Sequence, residues 1–458
     1  MKFIVIGITD NPKPWFPPEV MEIIKQGKVF SGGKRHHEIV APLLPPDAKW
    51  IDITVPLDSV FEQYHTSDIS PQPSALSPHT SIPDLHSPTR SLSIFHLTSY
   101  IVIFASGDPL FFGFANTICR KMPDAEIVVY PTFNSLQMLA HRLVMPYHDM
   151  RIVSLTGRPW QEFDRALIER AGKIGVLTDK EHTPAAIAQR MLDYGYKNYT
   201  MHIGEHLGNP TLEKVTTLPL EEATHHPFSM PNCVILDTLL PPTSSLLHQT
   251  SPLSPHTSSI LHLPSYIFHP FGIPDAAFTL LDGREKMITK MPVRLLTLQA
   301  LDLPKRHVLW DIGACTGSVS IEAKLQFPHL QVEAFEIRPE CETIIQENAR
   351  RFGTPGIHIH IGDFLTSPLP CVGGRGEAPD AVFIGGHGGH LKEIMEKVLT
   401  VLAPDGVIVM NSVIAPKVTT DSHQLWDEAC AALGLRQDPP TRIQLNDNHP
   451  ITILRCRR

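Results

Sequence analysis

Short, nearly unbroken apolar runs alternate with stretches in which apolar residues return every third or fourth position, and this rhythm fills two long blocks of the chain. The first block opens with FIVIG (residues 3–7). PPEVMEIIKQG (17–27) follows, with proline in its first turn and glycine at its end, as helix signals require. Then come YIVIFAS (100–106), EIVVYP (126–131), RIVSLT (151–156), KIGVLT (173–178) and NCVILD (232–237), most of them separated by helical patterns such as TPAAIAQRMLDYG (183–195). Strand–helix alternation predicts an α/β fold with a largely parallel sheet and ligand loops at the C-terminal ends of its strands. The second block repeats the rhythm in HVLWDIG (307–313), QVEAFEI (331–337), IHIHIGD (357–363), DAVFIGG (380–386) and GVIVMNS (406–412), and closes on TRIQLND (441–447) and PITILRCRR (450–458). Five parallel strands and a terminal hairpin-like pair predict a Rossmann-like sheet.

The rhythm fails in two places. Residues 64–99 and 241–264 are dense in Ser, Thr, Pro and His, nearly free of charge, and share the pentapeptide SPHTS at 77–81 and 254–258. Such composition buries too little apolar surface to offset the entropy of ordering, so both read as related insertions in mobile loops. The division that follows is a first domain over 1–240 carrying an insertion at about 65–99, a linker over 241–269, and a second domain over 270–458. A chain of 458 residues is long enough for two or three domains.

Composition narrows the function classes. A net charge of −8 argues against a binder that works by neutralising nucleic-acid phosphates. Seven cysteines lie scattered without a C-x-x-C pair or other metal-ligand spacing, which favours a reduced compartment and no bound metal. No apolar stretch reaches the roughly 18–20 residues needed to span a bilayer, and MKFIVIGITD lacks the apolar core of a signal peptide. A soluble, cytoplasmic protein with no membrane partner is expected.

The stretch LWDIGACTGSVSIE (309–322) carries the clearest chemistry. A strand ends in Asp311, and small residues follow at Gly313, Cys315 and Gly317. Glu336 ends the next strand about twenty residues after that loop, where a carboxylate accepts hydrogen bonds from ribose hydroxyls, and Asp363 follows the third strand. No basic residue or G-x-G-x-x-G pattern accompanies the loop, so a sulfonium nucleoside fits better than a dinucleotide. Asp363 then belongs at the adenine edge. Cys315 stands where glycine is expected. No His, Lys or Arg lies beside it to activate a nucleophile, so it reads as a small side chain tolerated at negative φ.

Several motifs extend this picture by resemblance. SGDPLFFG (106–113), YPTFNSLQMLAHRL (130–143), SLTGRPW (154–160) and GEHLGNPTLEKV (204–215) resemble the tetrapyrrole methylase family, in particular its carbon-5 corrin methylases. IPDAAF (273–278), GREKMITKMPVR (283–294) and the Asp311 loop resemble class I methyltransferases that methylate carbon 15 and decarboxylate an acetate arm. A chain with both resembles the fused precorrin methyltransferase family of cobalamin (vitamin B12) biosynthesis. That resemblance implies a two-subdomain α/β tetrapyrrole-methylase fold followed by a Rossmann-like class I methyltransferase fold. It also implies S-adenosylmethionine at two sites per chain, a precorrin-6B-type or cobalt-precorrin substrate, and a homo-oligomer. Cofactor contacts carry over to Gly107, Asp108, Pro109, Leu110, Thr132 and Ser135, with Glu205 and Leu207 nearby, and in the second domain to Asp311, Gly313, Cys315, Gly317, Glu336 and Asp363. The first loop, GITDNP (7–12), departs from the family's glycine-rich pattern.

A polycarboxylate substrate calls for cations. Two clusters offer them: Lys34, Arg35, His36 and His37, and Arg284, Lys286, Lys290 and Arg294. GGHGGHL (385–391) places His387 and His390 at the mouth of the second site as candidates for proton handling. Two other readings compete. One is an RNA or protein methyltransferase whose first domain is a targeting module; the other is a non-catalytic corrinoid-binding protein with decayed cofactor loops.

Overall fold

The computed structural model describes residues 1–67, 100–238, 271–370, 377–413, 422–445 and 450–458. The segments 68–99 and 239–270, which hold most of the Ser/Pro/His-rich insertions and the expected linker, lie outside the described residues; Tyr64–Thr66, expected in the first insertion, instead complete the helix Asp58–Thr66 with Tyr64 buried. Among the described residues no helix is long and apolar enough to cross a membrane.

The first block builds two five-stranded sheets rather than one. In spatial order, the first consists of Lys49–Asp52, Val29–Gly32, Ile101–Ser106, Lys2–Ile8 and Glu126–Tyr130, all parallel. Alternate residues of its central strands enter different cores. Phe3, Val5, Ile101 and Ile103 face one way, and Ile4, Ile6, Val102 and Phe104 the other. Burial on both faces explains why these strands read as continuous apolar runs.

The second sheet corrects the expectation of a largely parallel arrangement. Its order is Arg151–Ser154, Lys173–Leu177, Asn232–Thr238, Tyr199–Glu205 and Lys214–Pro219, and only the first pair is parallel. The last two strands carry few consecutive apolar residues: Lys214–Pro219 is largely solvent-facing, so no apolar run announced it.

The second block follows its pattern closely. Ile357–Ile361, Gln331–Glu336, Val308–Ile312, Ala381–Ile384 and Val407–Val413 form a parallel sheet in that order. Ile451–Arg457 adds antiparallel to Val407–Val413 and pairs in turn with Arg436–Gln437 and Thr441–Ile443. Trp310, Val382 and Ile408 pack on one face of the sheet and Leu309, Phe383 and Val409 on the other. The two blocks also touch. Ile168 of the first packs in one buried cluster with Ile273, Phe278, Ile321 and Leu325 of the second, and the buried Tyr196 hydroxyl donates to the Gly353 carbonyl at 2.7 Å.

Candidate active sites

The first site is a cleft between the two sheets of the first block, with a cavity of about 520 Å³. One wall is built by close backbone packing. Gly107 donates to the Ile8 carbonyl at 2.8 Å, and its φ of +61° sets it in the left-handed region. A Cβ there would come within 2.8 Å of the Asn134 backbone, and one at Gly7 within 2.0 Å of the Gly107 carbonyl oxygen. Asn134 caps the helix Ser135–Leu143, its Oδ1 accepting from Gln137 N while its own N–H donates back to the Gln137 side chain. Ser135 therefore stands at a helix N-terminus that faces the cleft.

Of the expected cofactor contacts, Gly107 and Ser135 line the cavity, as does Leu207. Thr132, Asp108, Pro109 and Leu110 stand behind or beside it. Asp108 folds its own turn, Oδ1 accepting from Leu110 N at 2.9 Å, while Leu110 is half-exposed at an adjoining hollow. Glu205 is sealed in the second sheet, accepting from Ser229 N at 2.5 Å.

The cationic cluster is partly absorbed by the protein itself. Arg35 donates to Asp10 Oδ1 at 2.7 Å and to Ser106 Oγ at 3.0 Å. His36 Nε2 meets the same Ser106 hydroxyl at 2.9 Å, and burial, with Arg35 adding to it, drives the imidazole down to about 4; it is neutral at pH 7. His37 stacks on Trp50 at 4.1 Å, and Lys34 is exposed. Sequence reasoning missed Asp10 and His206. Asp10, in the irregular GITDNP loop, takes Arg35 on one oxygen and His206 Nδ1 on the other at 2.9 Å, which ties the two sheets together across the cleft. The loss of the usual glycines at GITDNP was the available signal.

The second site gathers at the C-terminal ends of the second sheet. Gly313 (φ +80°) and Gly317 (φ +71°) are left-handed. A Cβ on Gly313 would approach Gly386 N to 2.8 Å, and one on Gly317 would approach Ile345 to 2.9 Å. The loop after Val308–Ile312 thus packs directly on the glycine-rich turn after Ala381–Ile384. Cys315 overturns the expectation of negative φ: it sits at +49°, a conformation that costs a non-glycine residue about 1 kcal/mol. Its buried side chain packs with Leu281 and Cys341. Burial, then Cys341 and Glu336, push the thiol up to about 12. That protonated thiol is no nucleophile.

Glu336 holds this loop in place. Its Oε2 accepts from Cys315 N at 2.9 Å, and its Oε1 from Ile337 N, Arg338 N and Arg338 Nη1 at 2.9–3.1 Å. Oε2 keeps capacity for one more donor. Cys315, Glu336 and Cys341 bring three ligand-type atoms within 4.8 Å, but a carboxylate surrounded by N–H donors and a protonated thiol describe a loop lock rather than a metal centre. Asp311 is buried, with Oδ2 accepting from Ser320 N and Oγ at 3.2 and 2.6 Å. Its Oδ1 has no partner. Burial raises its carboxyl to about 6 against the Ser320 hydrogen bonds. A buried oxygen without a donor, beside positive-φ backbone, fits a ligand that brings a donor of its own.

Asp363 is exposed, its Oδ1 accepting from Leu365 N at 2.9 Å. His387 Nδ1 accepts from Gly389 N at 3.2 Å; burial and then His390 lower its pKa. His390 is exposed at the N-terminus of the helix Leu391–Leu399. Arg294 requires correction as a substrate contact. It is fully buried and donates to Glu322 Oε2 at 3.2 Å, Asp275 Oδ1 at 3.2 Å, the Thr289 carbonyl at 2.7 Å and the Ile273 carbonyl. Lys290 donates to the Glu285 carbonyl and stands 3.7 Å from Asp275, and Arg284 pairs with Asp282 at 3.1 Å.

A family model described as tetrapyrrole (corrin/porphyrin) methylases matches residues 2–224, and one described as precorrin methyltransferase domain matches 281–454. A Sinorhizobium sp. protein named precorrin-6Y C(5,15)-methyltransferase [decarboxylating] is 30% identical over 434 residues, which covers 94% of this chain and 88% of the relative. The chain belongs to that family. Single-function relatives align over shorter spans. A Salmonella typhimurium cobalt-precorrin-6B C(15)-methyltransferase (decarboxylating) is 34% identical over 39% of this chain and 93% of its own length. A cobalt-precorrin-7 C(5)-methyltransferase of the same organism is 30% identical over 30% of this chain and 66% of its own length.

Proposed function

We propose that the chain performs two S-adenosylmethionine-dependent methylations of a precorrin macrocycle, at carbon 5 in the first domain and carbon 15 in the second, with loss of an acetate-arm carboxylate, within cobalamin biosynthesis. The observation that supports this reading is a relative of the fused type aligned over 94% of the chain, alongside the cleft of the first block and the positive-φ loop after Val308–Ile312 in the second. The substrate is a precorrin-6B-type or cobalt-precorrin tetrapyrrole.

S-adenosylmethionine, when bound, would supply an electrophilic sulfonium methyl for transfer to a ring carbon at each site. In the first domain the Gly107 turn and the helix N-terminus at Ser135 would hold the cofactor in the cleft. Much of the rate then comes from positioning, because an enamine-like carbon is already nucleophilic. His36, uncharged among Arg35, Ser106 and Asp10, adds no positive charge that would repel the sulfonium. In the second domain the backbone of Gly313, Cys315 and Gly317 would cradle the cofactor. Asp311 Oδ1, without a partner of its own, would accept one of its donors, Glu336 Oε2 would accept a ribose hydroxyl, and Asp363 would border the adenine. His387, with its pKa lowered and Nδ1 accepting from Gly389 N, presents Nε2–H as a proton donor, and His390 flanks it. Decarboxylation breaks the arm's C–C bond, and its electron pair passes into the protonated conjugated macrocycle as carbon dioxide leaves.

The test is incubation of the purified chain with precorrin-6B or its cobalt form and methyl-labelled S-adenosylmethionine, followed by mass analysis. Two methyl groups gained and one carbon dioxide lost are expected. A product with no methyl gained, or methylation of RNA or protein instead, overturns the reading.

A further inference from the structure

We propose that Phe112, Arg120 and Arg158, on the rim of the first cleft, form the docking subsite for the substrate's flat face and its peripheral carboxylates. The inference rests on reading the first domain as a precorrin methylase and names where the polyanion is gripped.

The cations picked from sequence are mostly engaged by the protein: Arg35 by Asp10, Arg284 by Asp282, Lys290 by Asp275 and Arg294 by Glu322. Arg120 and Arg158 differ. Both are exposed, and among the described residues neither pairs with a carboxylate. Arg158 is held in place by neutral groups only, donating to Ser154 Oγ at 2.6 Å and lying 5.3 Å above the Phe112 ring. Arg120 ends the helix Phe114–Lys121 on the same side.

Both arginines line a second hollow of about 340 Å³ whose walls, among the described residues, carry no acidic side chain. It shares Phe111, Phe112, Gly113 and Arg158 with the 520 Å³ cleft, so the two spaces adjoin. The cleft is of a size that one drug-sized ligand fills; a cofactor there leaves the macrocycle to extend into the neighbouring space. The rim is also apolar where a flat ligand would lie. Phe112 is 44% exposed, Leu110 51% and Phe133 57%, a grouping of exposed apolar side chains that marks an interaction surface. Phe112 holds this position at φ +54°, a strained conformation of the kind found at ligand clamps. An aromatic face with a guanidinium above it and a second beside it is complementary to a planar ring system bearing carboxylate arms.

The experiment uses the full chain and two probes: uroporphyrin, a fluorescent porphyrin octacarboxylate, and its uncharged octamethyl ester. Arg120→Ala and Arg158→Ala are each expected to weaken uroporphyrin binding about tenfold, roughly 1.4 kcal/mol, and to leave ester binding unchanged. Arg158→Lys recovers part of the loss. Phe112→Gly, which removes the ring at a φ that glycine adopts freely, weakens both probes. In carbon-5 methylation, read separately by mass, the arginine variants raise KM for the precorrin while affinity for S-adenosylmethionine and the melting temperature stay at wild-type values. Wild-type uroporphyrin affinity and KM in the folded double variant Arg120→Ala/Arg158→Ala overturn the subsite. A wild-type chain that binds no porphyrin and methylates no precorrin removes the reading of the domain, and the subsite with it.

Discussion

At Cys315 the residue type was legible and the backbone was not. Small side chains at every second position announced a turn, but sequence does not reveal which of them carries positive φ, because that depends on the Glu336 carboxylate 21 positions away. Cys315→Gly is therefore expected to keep the loop and cofactor binding, with stability within about 1 kcal/mol of wild type, since relief of strain is offset by a freer unfolded chain. Cys315→Val should lose about 2 kcal/mol or more in chemical denaturation, as a branched side chain resists that φ. Asp311 gives a pH signature. A carboxyl lifted to about 6 from an unfolded value near 3.9 favours its protonated form in the folded state. Its contribution is fully present below about pH 4 and is lost as pH rises through about 6. Asp311→Asn should thus gain about 2–3 kcal/mol relative to wild type on going from pH 4 to pH 8, while weakening cofactor binding. Denaturation curves at the two pH values, with a titration of S-adenosylmethionine, check both halves; a gain independent of pH would contradict the assignment.

At the scale of elements, strands buried on both faces were readable because nearly every position is apolar, as in Val308–Ile312 and Ile101–Ser106. Strands that are very short or largely solvent-facing were not. Val29–Gly32 and Lys49–Asp52 are only four residues each, and Lys214–Pro219 alternates too weakly to stand out. GREKMITKMPVR was read as a surface of cations, yet the helix Met291–Leu301 buries Arg294 against Glu322, which also accepts from Gly272 N and Ile273 N at 2.9 Å. Nothing in local spacing distinguishes an arginine facing substrate from one stitching a segment to a helix. Removing one partner leaves a buried charge, so Arg294→Ala should cost about 3–5 kcal/mol, seen as a lowered denaturation midpoint. The edge of the same sheet carries a second polar stitch. Glu333 accepts from His358 at 2.8 Å and His360 at 2.5 Å on the neighbouring strand, and despite burial these bonds draw its carboxyl down to about 2. The stabilisation is present above the unfolded value near 4.3 and lost as pH falls toward 2. Glu333→Gln should cost about 1–2 kcal/mol at pH 7, and that difference should shrink in acid; a constant difference would contradict the ion-pair account.

At the scale of the whole molecule, the succession of two folds was legible from motifs placed in order along the chain, and the alignment with a fused relative runs across both. The seam between them was not, because its contacts join residues such as Tyr196 and Gly353 that no local pattern connects. There Asp164 forms a bidentate pair with Arg190 at 2.7 Å, and Lys324 is lowered to about 8 by burial, with Asp164 opposing. Tyr196→Phe is expected to cost about 1 kcal/mol without changing either methylation. Two chemically distinct cofactor sites on one chain remain the central claim. Isothermal titration of the full chain with S-adenosylhomocysteine tests it most directly. Two equivalents should bind per wild-type chain, and one per Glu336→Ala chain, in which the Gly313–Gly317 loop loses its anchor and carbon-5 methylation persists. A wild-type stoichiometry of one or zero, or two full sites retained in folded Glu336→Ala, would contradict the account.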